Sequence, residues 1–217
     1  MHSVIGIGAG GHAKVIIDIL RLNGEFDLIG LIDSDTSRMG DRVLGVPVLG
    51  GDDRLESLYQ AGVRHAFIGF ASLSKTENNK RIFERIRKLG FDIVKAVHPS
   101  AVVASDVKIG QGTRIFGGAV INPGTSLGEN VVVSTGASVD HDCVIGDHSQ
   151  IAPGARLAGA VTVGEGSIVG IGAAVIQEIN IGDYSFVAAG AAVVRDVPSH
   201  TCVAGVPAKP MTEGSKS

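Results

Sequence analysis

Two short segments carry residue types whose spacing could do chemistry. The first is Gly6-Ile7-Gly8-Ala9-Gly10-Gly11, followed at once by His12. It satisfies GxGxxG, follows the apolar run Val4-Ile5-Gly6-Ile7, and has Asp33 about twenty residues further on. Glycines between a strand and a helix let a phosphate-bearing ligand approach the backbone, and the helix N-terminus favours its negative charge. A tight turn with no ligand has the same pattern. His12 reads either as a donor to a phosphate or sugar hydroxyl or as a helix-start histidine facing water.

The second segment is Ser138-Val139-Asp140-His141-Asp142-Cys143-Val144-Ile145-Gly146. An imidazole displayed between two carboxylates has the pKa range and the accessibility of a general base near pH 7. Ser134, Ser138 and Cys143 make no nucleophile, base and orienter arrangement, which favours direct group transfer without a covalent enzyme intermediate. Cys143 and Cys202 belong to no CxxC pair, and no metal cluster emerges. His98, before Pro99, and His148 read as structural or solvated.

The elements that must position these groups fall into two periods. From Val97 onward every sixth residue is aliphatic: Val97, Val103, Ile109, Ile115, Ile121, Leu127, Val133, Val139 and so on without a break to Val193. Four residues after most of these comes a small or β-branched residue or cysteine, as in Thr113, Ala119, Thr125, Ala137, Cys143 and Ala155. Each hexad then supplies a short strand and a turn, with the aliphatic residue inward, and three hexads close one triangular coil that pairs with the coils above and below. In this register Val139 and Cys143 point inward, so His141 projects outward near a corner. The composition agrees, because 31 glycines, 4% aromatic residues and no tryptophan suit closely stacked layers.

Before the repeat the pattern is α/β. Val4 to Ile7 reads as a strand, Ala13 to Leu20 as an amphipathic helix, and Phe26 to Asp33 as a second strand. A helix is expected around Asp53 to Ala61, a strand at His65 to Gly69, and a longer helix from Lys75 to Leu89, ended by Gly90. The expected organisation is a small parallel α/β domain over residues 1–93 followed by a repeat domain over 94–217. A domain of this length is smaller than a full six-stranded dinucleotide fold, which argues against NAD and for a ligand with one nucleotide.

Gly8-Ala9-Gly10-Gly11-His12, then His141-Asp142-Cys143-Val144-Ile145-Gly146, then Gly205-Val206-Pro207-Ala208-Lys209 occur in that order. With the hexads, the chain resembles the sialic-acid O-acetyltransferase and nucleotide-amino-sugar N-acetyltransferase family of hexapeptide-repeat acyltransferases. The resemblance implies a Rossmann-like α/β domain followed by a left-handed parallel β-helix, a homotrimer, and acetyl-CoA as co-substrate with no metal. It implies His141 as catalytic base with Asp142 orienting or polarising it. It matches Gly10, Gly11, His12, Asp33, Ser34 and Gly69 to a nucleotide-sugar pocket, and Gln150, Ile171 and Ala189 to CoA contacts. Gln150 stands where several members carry histidine, and Ala189 replaces a glycine. The implied reaction is N-acetylation of a 4-amino-4,6-dideoxy sugar linked to GDP or UDP, such as GDP-perosamine. Sialic-acid-type O-acetylation and a noncatalytic nucleotide-sensing scaffold are the alternatives, and an oxidoreductase would rest on the glycine pattern alone.

The whole-chain properties narrow the partners. A formal charge of −3 offers no broad footprint for nucleic acid or an anionic membrane surface. No basic region precedes the first apolar run, and no apolar stretch approaches the length of a membrane span, so a reduced cytoplasm is the expected compartment.

Overall fold

Val4, Ile5 and Ile7 are almost fully buried because the strand that carries them, β1 (His2–Ile7), lies inside a sheet with a neighbour on each edge. The computed structural model describes residues 1–71 and 76–211. The chain divides into two compact units, Met1–Pro99 and Ser100–Ser217.

In the first unit β1 leads through the glycine turn into α1 (Gly11–Asn23), then β2 (Phe26–Ile32), the hairpin of β3 (Arg42–Val43) and β4 (Val46–Gly50), α2 (Arg54–Gln60), β5 (His65–Ile68), α3 (Thr76–Lys88) and β6 (Asp92–Ile93). The sheet order is β3-β4-β2-β1-β5-β6, parallel throughout except for the antiparallel β3–β4 pair. Parallel strands buried on both faces favour continuous apolar runs, and β1 and β5 have them. Chain length suggested fewer than six strands; six form because β3 and β6 need only two residues each. The β3–β4 hairpin was not anticipated, since its turn places Leu44 at φ 48°, a conformation that branched aliphatic residues seldom adopt. The expected helix start at Lys75 lies outside the described residues, as does the chain end beyond Met211. Ile5, Ile7, Ile32, Leu55, Phe83, Ile86 and Phe91 form the core of this unit.

The second unit is a left-handed parallel β-helix. Each hexad contributes a two-residue strand, and partners lie one coil apart, as in Val120↔Ser138↔Arg156, Ser126↔Val144↔Thr162 and Val132↔Gln150↔Ile168. Parallel strands normally require long crossovers; here the remaining two sides of the triangle are the crossover. The aliphatic positions Ile115, Val133, Val139, Ile151, Val169 and Val187 are fully buried, and so are the small ones at Thr113, Ala137, Cys143, Ser149 and Ala173. Their hydroxyls bond to turn backbone: Ser167 Oγ donates to the Gly182 carbonyl at 2.6 Å, so polar residues enter this core with their hydrogen bonds made.

Every sixth residue from Gly112 to Gly190 has positive φ, including the non-glycines Asn130, Asp142, His148, Ala160, Glu178 and Tyr184. The turn therefore repeats in conformation as strictly as the strand repeats in side chain. His148 sits at such a corner but is buried, its Nδ1 3.0 Å from Asn130 Nδ2, and Arg114 Nη2 donates to Asn130 Oδ1 at 2.6 Å. His148 is thus structural rather than solvated. Burial lowers the Arg114 guanidinium pKa to about 10.

Candidate active site

Val139 and Cys143 are fully buried, and the three residues between them form one corner of the β-helix. Thr125, one coil away, holds both ends of that corner. Its Oγ1 donates to the Asp140 carbonyl at 2.9 Å and accepts from the Cys143 N–H at 3.2 Å. Asn122 Nδ2 donates to Asp140 Oδ1 at 2.8 Å, and the same oxygen accepts from the His141 N–H at 2.9 Å. These two bonds hold the Asp140 carboxyl below its ordinary pKa, the His141 backbone amide contributing most.

On this base the side chain of His141 stands 61% exposed and that of Asp142 67% exposed. Asp142 occupies the left-handed corner position, φ 58°, which aspartate tolerates better than most residues. Its Oδ2 lies 2.8 Å from His141 Nδ1. A carboxylate only accepts, so Nδ1 carries the proton and Nε2 presents a lone pair. The hydrogen bond that His141 donates to Asp142 is the main reason the His141 pKa is raised above its ordinary value; desolvation opposes it, and the charges of Asp140 and Asp142 add attraction. The arrangement can take a proton from a group brought to Nε2. Cys143 is no rival nucleophile: its Sγ donates to the Ala158 carbonyl at 3.2 Å, and burial raises its pKa.

In the first unit the glycine turn behaves as the pattern predicts, linking β1 to α1, with Gly8 at φ 96° and Gly10 at the start of the helix. Asp33, after β2, ties the turn down. Its Oδ2 accepts from the Ala9 N–H at 2.8 Å and from Arg38 Nη1 at 3.3 Å, while Oδ1 accepts from the Asp35 N–H at 3.0 Å. A cavity of about 390 Å³ opens here, lined by Gly8, Gly10, Asp33, Ser34, Arg38, Asp52, Phe70, Asn78 and Arg81 among others. Arg38, Asn78 and Arg81 are pocket residues that sequence reasoning passed over, because they lie far from the glycine turn in the chain.

The other expected pocket residues fall around this cavity rather than in its lining. Gly11 is exposed and opens α1, and His12 is half-buried on its first turn. Gly69 packs where a Cβ would come within 2.6 Å of the Gly8 carbonyl and 2.9 Å of the Ala13 Cβ, so it sets how closely the end of β5 approaches the turn. In the second unit Ile171 and Ala189 lie one coil apart on one exposed corner, joined by the Gly190 N–H donating to the Ile171 carbonyl at 2.8 Å. Gln150 lies apart from them, 4% exposed, on the flat wall between Val132 and Ile168. Among the described residues no group of three or more His, Cys, Asp or Glu could hold a metal ion, and no helix is long and apolar enough to cross a membrane.

Residues 3–86 match the PglD N-terminal domain family and residues 124–159 the bacterial transferase hexapeptide family of six repeats. The chain is similar to a GDP-perosamine N-acetyltransferase from Caulobacter crescentus, solved with one of its histidines replaced by alanine and in complex with CoA and GDP-perosamine. The two are 39% identical, 98% of each chain is covered, and the TM-score is 0.92. It is also similar to the acetyltransferase domain of PglB from Neisseria gonorrhoeae, solved in complex with acetyl coenzyme A, at 34% identity over 97% of this chain and 99% of that one, TM-score 0.87. WeeI from Acinetobacter baumannii, 23% identical with a TM-score of 0.82, shares the fold. No curated protein matches the sequence significantly.

Proposed function

Since the chain belongs to the family of hexapeptide-repeat sugar acetyltransferases with a PglD-type N-terminal domain, we propose that it transfers acetyl from acetyl-CoA to the amino group of a GDP- or UDP-linked 4-amino-4,6-dideoxy sugar, such as GDP-perosamine. The observation that carries the chemistry is the 2.8 Å bond between His141 Nδ1 and Asp142 Oδ2 on an exposed corner.

In this reading the neutral amine attacks the thioester carbonyl, its C–N bond forms as the C–S bond breaks, and His141 Nε2 takes the proton that nitrogen loses. The proton can then pass to the departing thiolate. Asp142 keeps the imidazole in the tautomer that accepts at Nε2 and stabilises the imidazolium that forms. Such a base contributes about 10² to 10⁴ in rate, while holding both reactants together contributes on the order of 7 kcal/mol or more. Positioning therefore outweighs proton transfer.

The pocket beside Gly10, Asp33 and Ser34 suits the nucleotide. Gln150, Ile171 and Ala189 are assigned to CoA. The exposed corner shared by Ile171 and Ala189 supports two of the three; Gln150 exposes little surface in a single chain. Trimer assembly, with CoA held between neighbouring subunits, is part of the same proposal.

The deciding experiment is acetyl-CoA consumption against a panel of GDP- and UDP-linked amino sugars, with product masses. An acetamido sugar from one of them supports the reading. Acetylation only of a sialic acid hydroxyl would replace it, and nucleotide binding with no turnover would leave a sensing scaffold.

A further inference from the structure

The ring of His141 rests on the backbone of Gly159, one coil further along. A Cβ built on Gly159 would stand 2.5 Å from His141 Cε1 and 2.6 Å from Nε2, closer than non-bonded carbon atoms approach. Gly159 is itself buried while the imidazole that covers it is well exposed. The backbone does not require glycine at this point. Gly159 is not among the residues of positive φ, and the equivalent turn position in other coils is occupied by Thr135, Asp147, Glu165, Ile171 and Gln177. Its carbonyl accepts from the Glu178 N–H at 3.0 Å, an ordinary bond of the stacked coils. What distinguishes this turn is the imidazole above it.

We infer that Gly159 is a positioning residue: its bare Cα is the seat that allows the His141 ring to lie flat enough for Nδ1 to meet Asp142 while Nε2 points at the acceptor. Any side chain at 159 lifts the Cε1–Nε2 edge and draws Nδ1 away from the carboxylate. This role deepens the reading of His141 as the base and rests on it for its catalytic consequence, although the seating itself does not.

The test is Gly159→Ala, which adds one methyl group and keeps the peptide N–H and C=O. With the N-acetyltransferase reaction we expect kcat to fall by about 10-fold to 10²-fold, as for a displacement on the order of 1 Å, with both KM values within about twofold. Titration of the His141 ring by NMR should show its pKa lowered from that of the wild type, because the Asp142 bond is lost. This second readout needs no turnover, so it judges the seat even if His141→Asn shows that another group is the base. Wild-type kcat together with an unmoved His141 titration would overturn the inference. If Gly159→Ala does not fold, the double variant His141→Ala/Gly159→Ala should fold, since the collision is with the ring alone; failure of the double variant where His141→Ala folds would also overturn it.

Discussion

Asp142 Oδ2 and His141 Nδ1 stand 2.8 Å apart on consecutive residues of one β-helix corner, although adjacent side chains in an extended strand point to opposite faces. The pair can meet because Asp142 adopts the left-handed conformation that recurs at every sixth residue of this unit. The same turn that closes the coil thus converts two neighbours in sequence into a hydrogen-bonded pair.

Replacing His141 by asparagine keeps approximate size and a hydrogen-bonding group but removes the titrating nitrogen. We expect kcat to fall about 10²-fold or more with both substrate affinities retained. Thermal unfolding should change only slightly, since the side chain is exposed and outside the aliphatic core. A near-wild-type rate, with acetyl transfer shown to be rate-limiting, would remove His141 from the role.

The pH profile tests Asp142. Catalysis requires His141 neutral at Nε2, so kcat/KM should rise with pH through the His141 pKa, which Asp142 raises above the ordinary histidine value. In Asp142→Asn that main cause is removed and the pKa falls. The acid limb should therefore move to lower pH, while the plateau drops because the tautomer and the imidazolium have lost their partner. An acid limb that stays in place would separate it from this pair.

Thr125→Val probes the support beneath the corner. Valine fills the same volume at this 1% exposed position but leaves the Asp140 carbonyl and the Cys143 N–H without the hydroxyl that joins them. The expected loss of stability is about 1–3 kcal/mol per stranded group, readable by denaturant unfolding, with a smaller fall in kcat. Unchanged stability would mean that the hydroxyl does not hold the corner.

Gly10→Val separates the two ligand sites. Gly10 lines the pocket and a Cβ there meets nothing within 4 Å, so the first added carbon fits without a clash and the branched side chain takes up ligand space. Calorimetry should show weaker nucleotide-sugar binding and unchanged acetyl-CoA binding. Equal loss of both in a folded protein would refute the assignment of the glycine turn.

Sedimentation addresses assembly. A trimer that keeps its activity only at concentrations where it stays associated is the expected result, because the CoA site is proposed to lie between neighbouring subunits. A fully active monomer at high dilution would exclude a shared site.

The β-helix was legible in the sequence because each hexad satisfies a local rule: an aliphatic residue faces inward and a small one fills the space beside it, independent of distant segments. Val139 and Cys143 fixed the outward direction of His141 on that ground, and the GxGxxG turn announced its own strand and helix. What tertiary structure decided is everything that joins one coil or element to another. Thr125 reads as a packing residue until it is found clamping Asp140 and Cys143 from the neighbouring coil, and Gly159 reads as one glycine among 31 until the His141 ring is found over it. Arg38 enters the pocket only because β2 lies beside β1, and Arg81 because α3 lines the same cavity as the glycine turn. Periodicity is a property of near neighbours and shows itself in one dimension. Contacts across a coil or a sheet depend on which residues the register brings opposite one another, and that appears only once the chain has folded.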